Sequence, residues 1–268
     1  EAYDSYQLSA LAELCKAGYG EVEVHLHHGH DTSEGVRRTL STFRDTLVEK
    51  HDLLSRTREG LVKYGFIHGN WALDNGSLDD RFCGVNDELT VLMETGCYAD
   101  FTMPAAPDYP QSVIINSLYY AKDDPGPRSY DRGYPSRVGI RPASDDILMI
   151  NGPLGLYSSA GRPFRLENGA IDASPAHHPT LSRFRRWAST GISVVGREEW
   201  IVVKVYSHGA KEDNANVLLG DVARRFHTDL ATHFNDGKKF RLHYVTARVI
   251  YNIVKAAELL GVSRPTLY

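Results

Sequence analysis

The stretch GEVEVHLHHGHDTSEG, residues 20–35, decides how the chain is read. Its first half alternates. Val22, Val24 and Leu26 take one side of an extended segment while Glu23, His25 and His27 take the other, the period of two expected of a strand with one apolar face. Its second half breaks that pattern with His28, Gly29, His30 and Asp31, so four histidines and an aspartate fall within residues 25–31. Asp31, with Glu34 three residues on, has the capping-box pattern of a helix start, and Val36, Leu40, Phe43 and Leu47 then recur on one helical face. A strand, a polar turn and a helix follow one another, which is the repeating unit of an α/β fold.

The same unit recurs outward from this stretch. Upstream, Leu8, Leu11 and Cys15 lie at helical spacing and Gly18 can end that helix. Downstream, YGFIHGNWAL (64–73) reads as a strand and its exit, NDELTVLMETG (86–96) as a short helix ended by Gly96, and CYADFTM (97–103) as the next strand. From Pro104 to about Pro179 the text is rich in Pro, Gly and Asp, with PAAPDYP, DDPGPRSYDRGYP and GRPF predicting long loops around short strands such as SVIINSLYY (112–120) and ILMING (147–152). Alternation then resumes with a helix around Leu181, Phe184 and Trp187, and a strand EWIVVKVYSH (199–208). A helix carrying Leu218, Val222, Phe226 and Leu230, a strand FRLHYV (240–245) and a last helix closed by Gly261 complete it. The expectation is one domain over residues 1–268, built on a parallel sheet that is open or rolled into a barrel.

Composition narrows the function. The 268 residues carry 30 basic and 34 acidic side chains, a formal net charge of -4, which argues against a backbone-phosphate or nucleic-acid binder. Cys15, Cys83 and Cys97 have no zinc-site spacing and no disulfide pattern, so they read as reduced, packed thiols. No apolar run approaches the roughly 20 residues that cross a bilayer, and no basic-then-apolar leader opens the chain. A soluble chain, with a cytoplasmic location favoured, is the expectation. The sequence opens at EAYDSYQL, already inside a helix-like pattern, as a chain does when an N-terminal piece is processed or omitted.

In a (β/α) barrel the site forms where the strands end, because the following loops surround that opening. The predicted strands end in His25, His27 and His28, then His68 and Asn70, Asp100 and Thr102, Asn116, Asn151, His208 and His243. Each such group buried without a partner costs about 1–3 kcal/mol, so a shared polar pocket is the economical reading. His25 and His27, two apart on a strand, project the same way and can reach one divalent ion, with an Asp31 oxygen added from the loop; His28 faces the other way if the strand stays regular but can turn in at its end. His208 lies on the side of its strand that carries Trp200, Lys204 and Tyr206 and looks into the same opening. Singly, each has a plainer reading: Asp31 as a cap, His68 as a hydrogen-bonded core residue, Asp100 as a turn, Asn70 and Trp71 as packing.

Taken together, EVEVHLHHGHDT, YGFIHGNWALDN, GCYADFTMPAAP, INSLYYAKDDP, VKVYSHGA and LHYVTAR resemble a divergent bacterial group of polysaccharide-deacetylase-like proteins, related to the NodB-type carbohydrate esterases. The resemblance runs from about Tyr3 to Leu260. It implies a distorted, seven-stranded (β/α) barrel, with the long loops in the middle third, and a divalent metal, usually zinc, held by histidines and a carboxylate. It also implies removal of an acetyl group from an amino sugar or polysaccharide. The histidine-rich second motif of that family falls on residues 25–31, and its late-strand histidine on His208. Three departures stand out. The motif's histidines are normally four apart, and here His27 plus four is Asp31, so a ligand has changed type or the pair is His28 with Asp31. The first-strand Asp-Asp motif has no counterpart, so an upstream strand is missing or Asp100 or Glu23 acts instead; the arginine-containing third motif is absent too.

On this reading His25, His27, His28 and Asp31 hold the metal. Asp31 and Asp100 are the candidate carboxylates for proton transfer, and His208 gives a proton to the departing amine, since imidazole titrates near neutrality. His68, Asn70, Trp71 and Asn151 line the sugar subsite, an aromatic face plus amides suiting a hydroxylated ring. Two rival functions share the same residues: another metallohydrolase of amidohydrolase or phosphoesterase type, and a carbohydrate-binding protein on a decayed enzyme scaffold.

Overall fold

The computed structural model describes residues 3–158 and 164–260. Within residues 20–35, Val24–Leu26 form strand β1, which joins its neighbours in a seven-stranded sheet. A short strand β2 (Ser55–Arg56) pairs antiparallel with the start of β3 (Val62–His68), and β1 lies parallel to β3, with Val24 opposite Phe66 and Leu26 opposite His68. Parallel pairing continues from β3 to β4 (Cys97–Asp100). Further along, β5 (Leu118–Lys122) and β6 (Tyr134–Pro135) precede β7 (Asp146–Ile150), which is parallel to β4 but antiparallel to β5. A separate hairpin is made by β8 (Gly155–Tyr157) and β9 (Arg165–Glu167).

The helices follow from capping and periodicity. Helix α1 (Ser5–Lys16) is capped by Asp4, whose side chain accepts from the Tyr6 and Gln7 amides. Helix α2 (Ser33–His51) carries the chain from β1 toward β3, burying Val36, Leu40 and Leu47. Helix α3 (Glu88–Glu94) carries it from β3 to β4, and Gly96, at φ +106, supplies the turn after its C-terminus. Helices α4 (Leu181–Ser189), α5 (Glu212–Leu219), α6 (Asp221–Phe234) and α7 (Ala247–Leu260) make up the last third.

Alternate residues of the inner strands go to opposite cores, as a sheet covered on both faces requires. Tyr119, Ala121, Ile147 and Met149 join Phe66, Leu40 and Leu47 on the α2 side. Leu118, Tyr120, Leu148 and Ile150 meet Val254 and Ala257 of α7 on the other. A third cluster, Ile171, Trp187, Val217, Phe226 and Leu230, holds α4, α5 and α6 together.

Several expectations are corrected. The sheet runs β1-β3-β4-β7-β5-β6 with β2 beside β3, so it stays open and is not a closed barrel. It is also mixed: only a 3-10 turn and the short strand β6 lie between β5 and β7, and without an α-helical crossover the chain comes back antiparallel. EWIVVKVYSH forms no ladder; Tyr206 makes an isolated bridge to Ala170, and the Lys204 ammonium fastens the segment to the sheet by donating to the Phe101 and Met103 carbonyls. FRLHYV is not a strand either, because Asp236 Oδ1 accepts from the amides of Lys238, Lys239 and Phe240 and closes a turn at its start. The helix expected through Leu218 and Leu230 is two helices, parted at the extended Gly220. The N-cap of α2 is Thr32, whose hydroxyl accepts from the Gly35 amide, and not Asp31. Gly261 and part of GRPF lie outside the described residues. Among the described residues, no helix is long and apolar enough to cross a membrane.

Phe66 sits fully buried on β3, an inner strand flanked by β1 and β4. Phe66→Ala should lower unfolding stability by about 3–5 kcal/mol, whereas Leu78→Ala, at a side chain 77% exposed, should change it by less than about 0.5 kcal/mol. Urea denaturation of the two variants checks both.

Candidate functional site

The C-terminal ends of β1 and β3 build two polar layers, one exposed and one buried. In the exposed layer, His25 Nε2 and His27 Nε2 stand 2.9 Å apart. His27 lies flat over Gly69, where an added Cβ would fall 2.4 Å from the ring, so only glycine leaves room for it. Behind it, Asn70 donates through Nδ2 to the His28 carbonyl (2.8 Å) and the Phe82 carbonyl (3.2 Å). Those two bonds orient the amide, leaving Oδ1 as the atom 2.9 Å from His27 Nδ1. An amide oxygen can only accept, so His27 carries its proton on Nδ1 and presents a bare Nε2 to His25. Two nitrogens each about 2.1 Å from one divalent ion stand about 2.9–3.4 Å apart, so the pair is spaced to share one.

Next to Asn70, Trp71 is held at φ +56 and meets His208 edge-on at 5.9 Å and Tyr206 at 6.3 Å between ring centroids. His208 is exposed, and its carbonyl is tied down by Asn214 Nδ2 and the Lys211 amide. The exposed layer therefore offers imidazoles beside an aromatic wall.

The buried layer is formed because the chain turns after β1. The His30 amide donates to the Asp80 carbonyl and the Asp31 amide to the Cys83 carbonyl, which pulls His28 inward against the loop before α3. There His28 Nε2 is 2.9 Å from Glu88 Oε1, His68 Nε2 is 3.8 Å from the same oxygen, and Cys83 Sγ is 3.4 Å from Glu88 Oε2. The Asp74 amide also donates to Glu88 Oε2 at 2.6 Å. One ligand atom from each of His28, His68, Cys83 and Glu88 lies within 4.8 Å of the others, and the group could hold a metal ion. Burial alone would raise the Glu88 carboxyl, but the two imidazoles and the Asp74 amide bring it below the ordinary carboxylate value. Burial, opposed by Glu88, pulls His68 down to about 4.

The expected site residues are thus sorted differently from the sequence reading. His25 and His27 stay together outside, while His28, expected beside them, is in the buried group with His68, which was expected to touch sugar. Asp31 keeps a quarter of its side-chain exposure, accepts from the Thr32 amide and lies 3.7 Å from His28 Nδ1. Asn70 and Trp71 lie at the exposed layer. Asn151 is buried and donates to the Ile114 carbonyl, so it lines no open subsite. Asp100 is fully buried, accepting from the Thr102 amide and hydroxyl, and cannot meet a substrate. Glu23 is likewise committed, to the Gly65 amide, the Tyr98 hydroxyl and Arg248.

The sequence reading missed Cys83 and Glu88, which complete the group that could hold an ion. The signal was present: Glu88 shares a helical face with Val91 and Leu92, and a carboxylate on an otherwise buried stripe needs a partner. No family model, no curated protein and no solved structure matches this chain.

Burial pushes the Asp100 carboxyl up, with the Thr102 bonds and Lys204 opposing, and pulls the Lys204 ammonium down. A carboxyl raised from near 4 to about 7 stabilises the fold fully below the lower value, and that contribution is lost as pH rises through the upper one. The stability advantage of the wild type over Asp100→Asn should therefore shrink steadily between about pH 4 and pH 7. Denaturant titrations across that window measure it, and an advantage that grows with pH would refute the assignment.

Proposed function

We propose that this protein is a metal-dependent deacetylase that hydrolyses the acetyl group of an acetylated amino sugar or polysaccharide. The observation that carries the reading is the bare Nε2 of His27, fixed by Asn70, facing His25 Nε2 at 2.9 Å at the ends of parallel strands. Its sequence likeness to NodB-type esterases supports the same conclusion. His25 and His27 would hold the ion, with zinc the natural choice for imidazole donors. A divalent ion bound there supplies Lewis acidity toward the amide carbonyl and a water that is acidic near neutral pH. Trp71 and Tyr206 give the sugar ring an apolar face, and Asn70 keeps His27 in the required tautomer. His208, exposed against Trp71, delivers a proton to the departing amine nitrogen. Asp31 is the carboxylate retained as proton acceptor, because Asp100 and Glu23 are enclosed.

That enclosure favours one second reading, a carbohydrate-binding relative without turnover. The reading as an amidohydrolase or phosphoesterase rests on the His25-x-His27 pair alone.

Acetate release from N-acetylated amino-sugar oligomers, assayed with zinc, separates these. The wild type should release acetate, and the His25→Ala/His27→Ala variant should not. His208→Ala should keep its metal content and lose about 10²–10⁴-fold in kcat. Oligomer binding without acetate, or phosphate release from a generic phosphoester instead, would overturn the deacetylase reading.

A further inference from the structure

We infer that His28, His68, Cys83 and Glu88 form a second, closed zinc site whose role is to fasten the fold, separate from the exposed His25 and His27 pair. This goes beyond the proposed activity and does not depend on it.

The donors come from four places in the chain: the turn after β1, the last residue of β3, the loop before α3 and the first residue of α3. Bond lengths of about 2.0–2.3 Å at a tetrahedral zinc put neighbouring ligand atoms about 3.3–3.8 Å apart. The contacts of Glu88 to His28, Cys83 and His68, at 2.9, 3.4 and 3.8 Å, bracket that range, so small side-chain movements complete the shell. A thiolate among imidazoles selects zinc over magnesium or calcium, which take oxygen.

Two independent features point to a ligand at this spot. His68 Nε2 is buried and has no hydrogen-bond partner, although the residue is wholly enclosed. His28 Nδ1 is also buried without a hydrogen bond, and faces Asp31 Oδ2 at 3.7 Å, the placement of the outer carboxylate that commonly orients a metal-binding imidazole. The long contact from the Asn70 amide to His68 Nδ1, 3.2 Å, is the one bond that ligation through Nε2 would surrender, because the single imidazole proton would then sit on Nδ1.

Its role follows from access. His68, Cys83 and Glu88 are buried and the His28 side chain nearly so, and four protein donors leave no open position for a substrate. What they do join is the loop of residues 69–87, which has only two 3-10 turns and holds Trp71, Asp74 and Asn75 at positive φ. Closing such a loop onto two strand ends is where a metal clip stabilises most.

The test uses the full chain loaded with cobalt(II) in place of zinc, reading the near-ultraviolet band that arises only when a thiolate binds cobalt. The band should appear in the wild type and survive both His25→Ala/His27→Ala and Cys15→Ser/Cys97→Ser. It should vanish in Cys83→Ser, and elemental analysis of the zinc forms of Cys83→Ser and Glu88→Gln should each show about one equivalent of metal fewer than the wild type. A wild type without the band, a band that survives Cys83→Ser, or one that disappears in Cys15→Ser/Cys97→Ser would each overturn the site and leave Glu88 as the centre of a hydrogen-bond network only. If Cys83→Ser does not fold, the wild type and the Cys15→Ser/Cys97→Ser variant still decide. Loss of acetate release with the band intact would count against the proposed activity and not against this site.

Discussion

A buried carboxylate organises one end of this molecule. Glu88 opens α3 with no solvent access, and an ionised group in that position costs several kcal/mol unless donors surround it. The donors come from every segment nearby: the His28 ring, the Cys83 thiol and the Asp74 amide, with the His68 ring beyond them. Meeting that demand fixes where β1 stops, how the loop before α3 is threaded and which way the histidine cluster divides.

The division is a matter of parity. Alternation sends His28 to the side opposite His27, the side on which Val24 and Leu26 pack with Phe66 and Cys83, and Glu88 holds it there. His25 and His27, left outside, are aligned by Asn70, which touches both layers: its side chain bonds His27 and the His28 carbonyl, and its amide faces His68 Nδ1. The exposed pair is therefore held by the same framework that satisfies the buried carboxylate.

Much of this was legible where local chemistry and packing agree. The 3.6-residue stripe of Val36, Leu40 and Leu47 gave α2, the unbroken apolar run Ile147 to Ile150 gave β7, and Gly96 marked the end of α3. What failed depended on contacts distant in sequence. Residues 199–208 have the alternation of a strand, but Lys204 reaches two carbonyls beyond β4 and the backbone joins no ladder. Asp31 looks like a cap because Thr32, the true cap, stands next to it. The histidine cluster was visible, and alternation set His28 opposite His25 and His27, but its partners were not, since Cys83 and Glu88 reach it only after the loop and α3 fold back.

The open sheet also explains why reactive groups gather at one edge. In a closed barrel, inward side chains of the strands fill the centre; here α7 covers one face through Val254 and Ala257, and α2 covers the other. Polar groups at the α7 interface are consumed there, Glu23 by Tyr98 and Arg248, and Glu258 of α7 by Tyr120, Ser136 and Lys255. With both faces closed, side chains can meet an incoming molecule only beyond the strand termini. In a parallel sheet the C-terminal termini lead into the crossover loops, so that edge is where new chemistry can be placed without disturbing the core. His25, His27, Trp71 and His208 lie at that edge, whereas Asp100, one strand further in and under Lys204, has become part of the structure that supports it.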